Sequence, residues 1–92
     1  MYKLLIERRS LEFLEDLKKQ KKQYVQIASK LFSLSRNPYP QDCKKIKGES
    51  REFLRVDVGE FRIVYTVEGD TVKVILIGKR GDDEVYRRLR NL

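Results

Sequence analysis

"FLRVDVGEFRIVYTVEGDTVKVILIGK", residues 53–79, decides the fold. It divides into three runs, 53–58, 60–68 and 71–79, each rich in β-branched and aromatic residues. Such side chains suit a pleated surface, so each run is a predicted strand. Gly59 separates the first two runs and Gly69-Asp70 the second two. A Gly-Asp pair between β-branched runs marks a tight hairpin, because glycine reaches positive φ without a steric penalty. The three runs therefore form a predicted antiparallel meander. Side chains alternate along each strand. Leu54, Val56 and Val58 share one face, and Phe53, Arg55 and Asp57 the other. Phe61, Ile63, Tyr65 and Val67 oppose Arg62, Val64, Thr66 and Glu68. With the apolar sets turned to a core, Arg55 and Arg62 emerge together on the far face. Arg62 poses the functional question: a strand this apolar reads as central, yet it carries a guanidinium that cannot lose its charge.

Towards the N-terminus, "YKLLIE" (2–7) is a predicted first strand. Ser10 is placed to N-cap a helix over "LEFLEDLKKQ" (11–20), with Glu12 near the positive end of its dipole and lysines at the other. Leu11, Leu14 and Leu17 recur about one turn apart, with Phe13 beside them. Residues 19–22 make a polar break. "QYVQIASKLFSLSRN" (23–37) is a second helix whose stripe of Tyr24, Ile27, Ala28, Leu31, Phe32 and Leu34 is expected to be buried. Pro38 and Pro40 stop it. Residues 40–52 read as a polar loop turning at Gly48, and "GDDEVYRRLRNL" (81–92) as a tail with a short helix from Asp82 or Asp83. The expected fold is α+β in the order β-α-α-β-β-β. The helical hairpin packs on one face of an antiparallel sheet, within one domain spanning 1–92. The other face is left for water or a ligand.

Composition narrows the chemistry. The 92 residues carry 21 Lys and Arg against 14 Asp and Glu, a formal charge of +7. Such a balance suits a polyanion or an acidic protein partner, or simply a well-solvated surface. No histidine is present, which removes the commonest general acid/base, and the single cysteine, Cys43, cannot build a thiolate zinc site. No metal and no small-molecule cofactor is expected. A lone cysteine also rules out an internal disulfide and fits a reducing compartment. No apolar run approaches the ~20 residues that span a bilayer, and the start "MYKLLIERRS" lacks a long apolar signal core. A cytoplasmic protein is expected, with no membrane partner.

The strand-parity argument leaves two readings open. Arg55 and Arg62 are either an anion site or members of ordinary cross-strand ion pairs with Asp57, Glu60 or Glu68. Lys79 and Arg80 either join that site or close a strand, and Tyr86, three residues before Leu89, either serves it or packs in a core.

The segments "KIKG", "FLRVDVGEFRIVYTV" and "VKVILIGKRGDDEVY" resemble the RelE/ParE superfamily, the toxin half of type II toxin–antitoxin pairs. The "GKR…VY" ending is similar to the RelE branch, whose members cut messenger RNA on the ribosome; ParE-like members act on DNA gyrase and generally lack it. The resemblance implies roles residue by residue. Arg62 matches the arginine that contacts the scissile phosphate, and Arg80 the arginine that stabilises the transition state or helps the leaving group. Tyr86 matches a tyrosine acting as general base or stacking on the substrate. Arg55 falls at the first of two basic positions on the second strand. Asp57 stands at the second, where its carboxylate repels phosphate. Either Lys45, Lys47 or Arg51 in the preceding loop supplies the missing charge, with Lys79 at the strand end, or activity is weaker or differently targeted. The implied partners are a cognate antitoxin and the ribosome with its mRNA.

This chemistry is coherent on its own terms. RNA carries its own nucleophile, the 2′-hydroxyl. Fixed guanidinium groups can hold the oxygens of the phosphorane at little reorganisation cost. A phenol with a pKa of about 10 is a poor base at neutral pH, and surrounding cations favour its ionised form. A cationic site of this kind becomes efficient once something else aligns the RNA for in-line attack. Two other functions fit the same sequence: a gyrase-binding toxin and a catalytically silent basic binding module.

Overall fold

The computed structural model describes residues 1–46 and 52–81. Its elements are β1 (Lys3–Ile6), α1 (Arg8–Leu17), α2 (Lys21–Arg36), β2 (Lys44–Lys45), β3 (Leu54–Val58), β4 (Phe61–Glu68) and β5 (Thr71–Lys79). The expected order of strand, two helices and three-stranded meander is observed. The sheet runs β1-β5-β4-β3-β2. It is mixed rather than wholly antiparallel, because β1 pairs in parallel with β5, Lys3 opposite Thr71 and Ile6 opposite Val74. Both hairpins place glycine first in a two-residue turn, at Gly59 with φ 56° and Gly69 with φ 58°. That is the placement a type II′ turn requires, and its twist matches the strands it joins.

Several boundaries differ from expectation. Ser10 does not cap α1; the helix begins at Arg8, with Glu7 at the N-cap position. The reason is backbone economy. The Glu7 amide donates to the Val74 carbonyl at 3.1 Å, so β1 stays bound to β5 until the residue before the helix. Ser10 is instead buried inside α1, where its hydroxyl finds no partner among the described residues. Helix α1 ends at Leu17, short of the lysines, and Lys21 and Lys22 open α2. The expected polar loop contains a strand, β2, which pairs with β3 at the sheet edge. Phe32 is 67 % exposed. Ile27, Leu31 and Leu34 form the buried line of α2, and Phe32 sits a step of about 100° away from Leu31. Leu11 is likewise exposed. The tail helix expected from Asp82 or Asp83 and the turn at Gly48 lie outside the described residues.

The main core lies between helices and sheet. Leu14, Leu17, Ile27, Leu31 and Leu34 pack on Leu54, Val56, Phe61, Ile63, Tyr65, Val72, Val74 and Ile77. Phe13 meets Phe61 edge to face at 5.8 Å. The buried Tyr65 hydroxyl donates to the Pro38 carbonyl at 2.7 Å, tying the end of α2 to β4. Burial pushes this phenol's pKa well up, so it stays a neutral donor.

The far face is not simply open. Phe53, Val64, Ile75 and Leu76 form a second buried cluster there, with Ile46 against it. A β-bulge adds Leu76 to it. Val64 faces Leu76 but Tyr65 faces Val74, so Ile75 is an extra residue in β5. A bulge turns two successive side chains the same way and reverses the alternation beyond it.

Candidate functional site

The bulge decides which strand-end cation reaches the arginine face. Val72 and Val74 belong to the helix-side core. Unbroken alternation from them would send Arg80 the same way. With Ile75 inserted, Ile77 and Lys79 take the helix side, and Gly78 and Arg80 take the far side. Lys79 accordingly sits opposite Phe61 and lines a hollow with Phe13, Leu17 and Gln20. Gly78 lies directly opposite Arg62.

Three arginines therefore gather around Asp57. Asp57 is the cross-strand neighbour of Arg62. Arg62 donates from Nε to Oδ1 of Asp57 at 2.8 Å and from Nη2 to Oδ2 at 3.4 Å. Arg80 Nε lies 3.4 Å from Oδ2. Arg80 is held there by the β3–β4 turn: its amide donates to the Glu60 carbonyl at 2.8 Å, and its Nη1 to the Gly59 carbonyl at 3.3 Å. Arg55 shares the face two residues along β3 and adds to the field on the carboxylate. The Arg62 hydrogen bond holds the Asp57 carboxyl below its usual range, against the opposing effect of burial, with Arg80 and Arg55 contributing further.

Arg62 is tolerated in β4, flanked by β3 and β5, because a carboxylate meets it edge-on. Its side chain is only 15 % exposed, while those of Asp57 and Arg80 are 33 % and 54 % exposed. The group is a rigid guanidinium in the sheet with a solvent-facing rim.

Of the expected site residues, the structure brings Arg55, Arg62 and Arg80 together. Lys45 is not with them: it stands opposite Leu54, a helix-side core residue, and pairs with Glu52 at 2.8 Å. Lys79 also lies on the helix side. Lys47, Arg51 and Tyr86 lie outside the described residues. Lys44 was missed. It pairs directly with Arg55 across β2 and β3, so it extends the cationic face to the sheet edge. Only recognition of β2 could have separated the neighbouring Lys44 and Lys45. At one end of this face Lys44, Arg55, Arg62 and Arg80 flank the Asp57 carboxylate, a grouping that suits an extended anion, while farther along the same face the register places Lys73 and Glu68. No group of three or more His, Cys, Asp or Glu that could hold a metal occurs among the described residues.

A family model described as the ParE toxin of the type II toxin–antitoxin system parDE matches residues 6–84. The chain belongs to this toxin family. Solved structures similar to the toxin include the isolated E. coli RelE toxin, with 24 % identity, a TM-score of 0.71, and coverage of 99 % of this chain and 97 % of that one. A double arginine-to-alanine mutant of E. coli RelE in the free state is 28 % identical, with a TM-score of 0.65 and coverage of 99 % and 98 %. A chain of the intact E. coli RelBE toxin–antitoxin complex is 26 % identical, with a TM-score of 0.57 and coverage of 89 % and 100 %. No curated protein sequence matches the toxin. It is a member of the RelE/ParE superfamily, and its structural likeness is to the RelE branch. No described helix is long and apolar enough to cross a membrane.

Proposed function

We propose that this toxin is a ribosome-dependent mRNA endoribonuclease, held in check by a cognate antitoxin. The observation that carries the reading is the convergence of Arg62 and Arg80 on both oxygens of one anionic group, Asp57. Two guanidinium groups that grip a carboxylate in this way can grip the non-bridging oxygens of a phosphodiester. Arg62 would bind the scissile phosphate from a fixed strand position. The more exposed Arg80 would meet the charge that builds up as the 2′-oxygen bonds to phosphorus and the bond to the 5′-oxygen breaks. The 2′-hydroxyl proton passes to a base and the leaving oxygen takes one up, duties for which Tyr86 is the candidate. Arg55 and Lys44 would hold neighbouring phosphates. Lys47 and Arg51 are candidates for further charge toward the RNA, whereas Lys45 and Lys79, on the helix side of the sheet, are not assigned to it. Alignment of the RNA for in-line attack falls to the ribosome. The antitoxin is inferred from the likeness to the toxin of the RelBE complex.

A ParE-like toxin acting on DNA gyrase is the second reading. The family model's own description favours it, as does the carboxylate that partly neutralises the arginines. Primer extension on a translated message with ribosomes, comparing wild type with Arg80→Ala and Tyr86→Phe, decides between them. Cuts within codons that vanish in the variants are expected. Toxicity that tracks DNA damage with no cuts in any sample would overturn the nuclease reading, and a protein harmless when expressed alone would leave a silent binding module.

A further inference from the structure

Asp57 occupies the place an incoming phosphate needs. Both of its oxygens face guanidinium groups, Oδ1 toward Arg62 and Oδ2 toward Arg62 and Arg80, at 2.8–3.4 Å. This is the two-point contact that arginine offers to phosphate. The carboxylate is not locked away, since a third of the side chain reaches solvent. A phosphodiester cannot share this part of the face on equal terms, because two anions a few Å apart repel.

We propose that Asp57 is a built-in competing anion: it holds Arg62 and Arg80 together in the resting toxin and must be displaced before a phosphodiester binds them. The proposal rests on the reading of this face as a phosphate site. It makes Asp57 a specificity-determining residue. A single stray phosphate is resisted by the carboxylate. A strand presented with several phosphates in register gains Arg55 and Lys44 as well, and can outcompete it.

The test is titration of wild type and Asp57→Asn with inorganic phosphate at fixed ionic strength, followed by NMR at the arginine Nε–H groups. Asparagine keeps the shape and one acceptor while removing the charge. Phosphate binding about tenfold tighter in Asp57→Asn is expected, with the gain lost in Asp57→Asn/Arg62→Ala. Equal or weaker binding in a folded Asp57→Asn would overturn the proposal and leave Asp57 as an organiser of the arginines. If Asp57→Asn does not fold, the wild type decides. Its Asp57 carboxylate carbon and Arg62 Nε must then shift together with one dissociation constant, and an Arg62 shift with an unmoved Asp57 refutes displacement. The readout needs no ribosome. Tighter phosphate binding with no RNA cleavage would sink the nuclease reading alone. Cleavage with no gain in phosphate binding would sink the competing-anion role alone.

Discussion

Replacing Arg62 separates a structural arginine from a functional one. The ion pair it makes lies between two regimes. Exposed pairs contribute about 0–1 kcal/mol, and breaking a fully buried pair costs about 3–5 kcal/mol. Here Arg62 is largely covered, Asp57 is one-third exposed, and Arg80, with Nε 3.4 Å from the carboxylate, is a second cation for it. Asp57 is therefore not stranded, and Arg62→Ala should cost about 1–2 kcal/mol. For a domain of this size that lowers Tm by about 4–16 °C. Against a total stability of about 5–15 kcal/mol the variant stays folded at 25 °C. Under the nuclease reading Arg62 is the fixed donor to the scissile phosphate, whose oxygens also gain charge in the transition state, so its loss should be far more costly to rate, about 100–1000-fold. Arg62→Lys keeps the charge and loses the fork, so cleavage should still fall about tenfold or more. Thermal melts paired with ribosome-dependent primer extension measure both effects. Wild-type cleavage by Arg62→Ala would refute the assignment of Arg62 to the phosphate. Full rescue by lysine would show that charge alone matters and the two-point geometry does not.

Three further outcomes follow from the same structure. Tyr65→Phe strands the Pro38 carbonyl in a buried setting and should cost about 1–3 kcal/mol in denaturant unfolding, with cleavage by the folded fraction unchanged. Gly59→Ala should lose about 1–2 kcal/mol, because φ is 56° there; a new Cβ lies at an ordinary 3.4 Å from Gln26 Oε1, so the strain is in the backbone, and an unchanged Tm would contradict it. Asp57 has a lowered pKa in the folded state, so its ion pairing stabilises above the unfolded carboxyl pKa of about 3.9 and is lost as pH falls through the lower folded value. Wild type should therefore melt above Asp57→Asn at neutral pH, and the gap should close below about pH 4; a gap constant down to pH 2 would show that the charge is not its source.

The candidate site was partly legible before folding. Strand parity alone brought Arg55, Arg62 and Asp57 to one face, because the two hairpins are short and leave no freedom of register. Arg80 was legible only as a strand-end cation that could join the site or merely close the strand, and its role came through resemblance, since alternation counted from Val72 and Val74 sends it to the wrong side. The lysines failed for a related reason. A two-residue strand gives no periodic signal, so Lys44 and Lys45 could not be told apart, although one faces Arg55 and the other faces Leu54. Phe32 shows the same limit in a helix: several apolar residues mark an amphipathic surface, but the sheet beneath chooses which line of it is buried.

What the sequence determined by itself were the quantities set by neighbouring residues. These were four of the five strands, their turns at Gly59 and Gly69, the two helices, the alternation within each run, and a chemistry without histidine or a thiolate metal site. Tertiary structure decided what depends on distant partners. Parallel pairing of β1 with β5 moved the start of α1 past Ser10. The bulge at Ile75 delivered Arg80 to Asp57 and sent Lys79 away. A bulge is one extra residue measured against another strand. It has no meaning until the two strands are paired, and so no local pattern could have announced it.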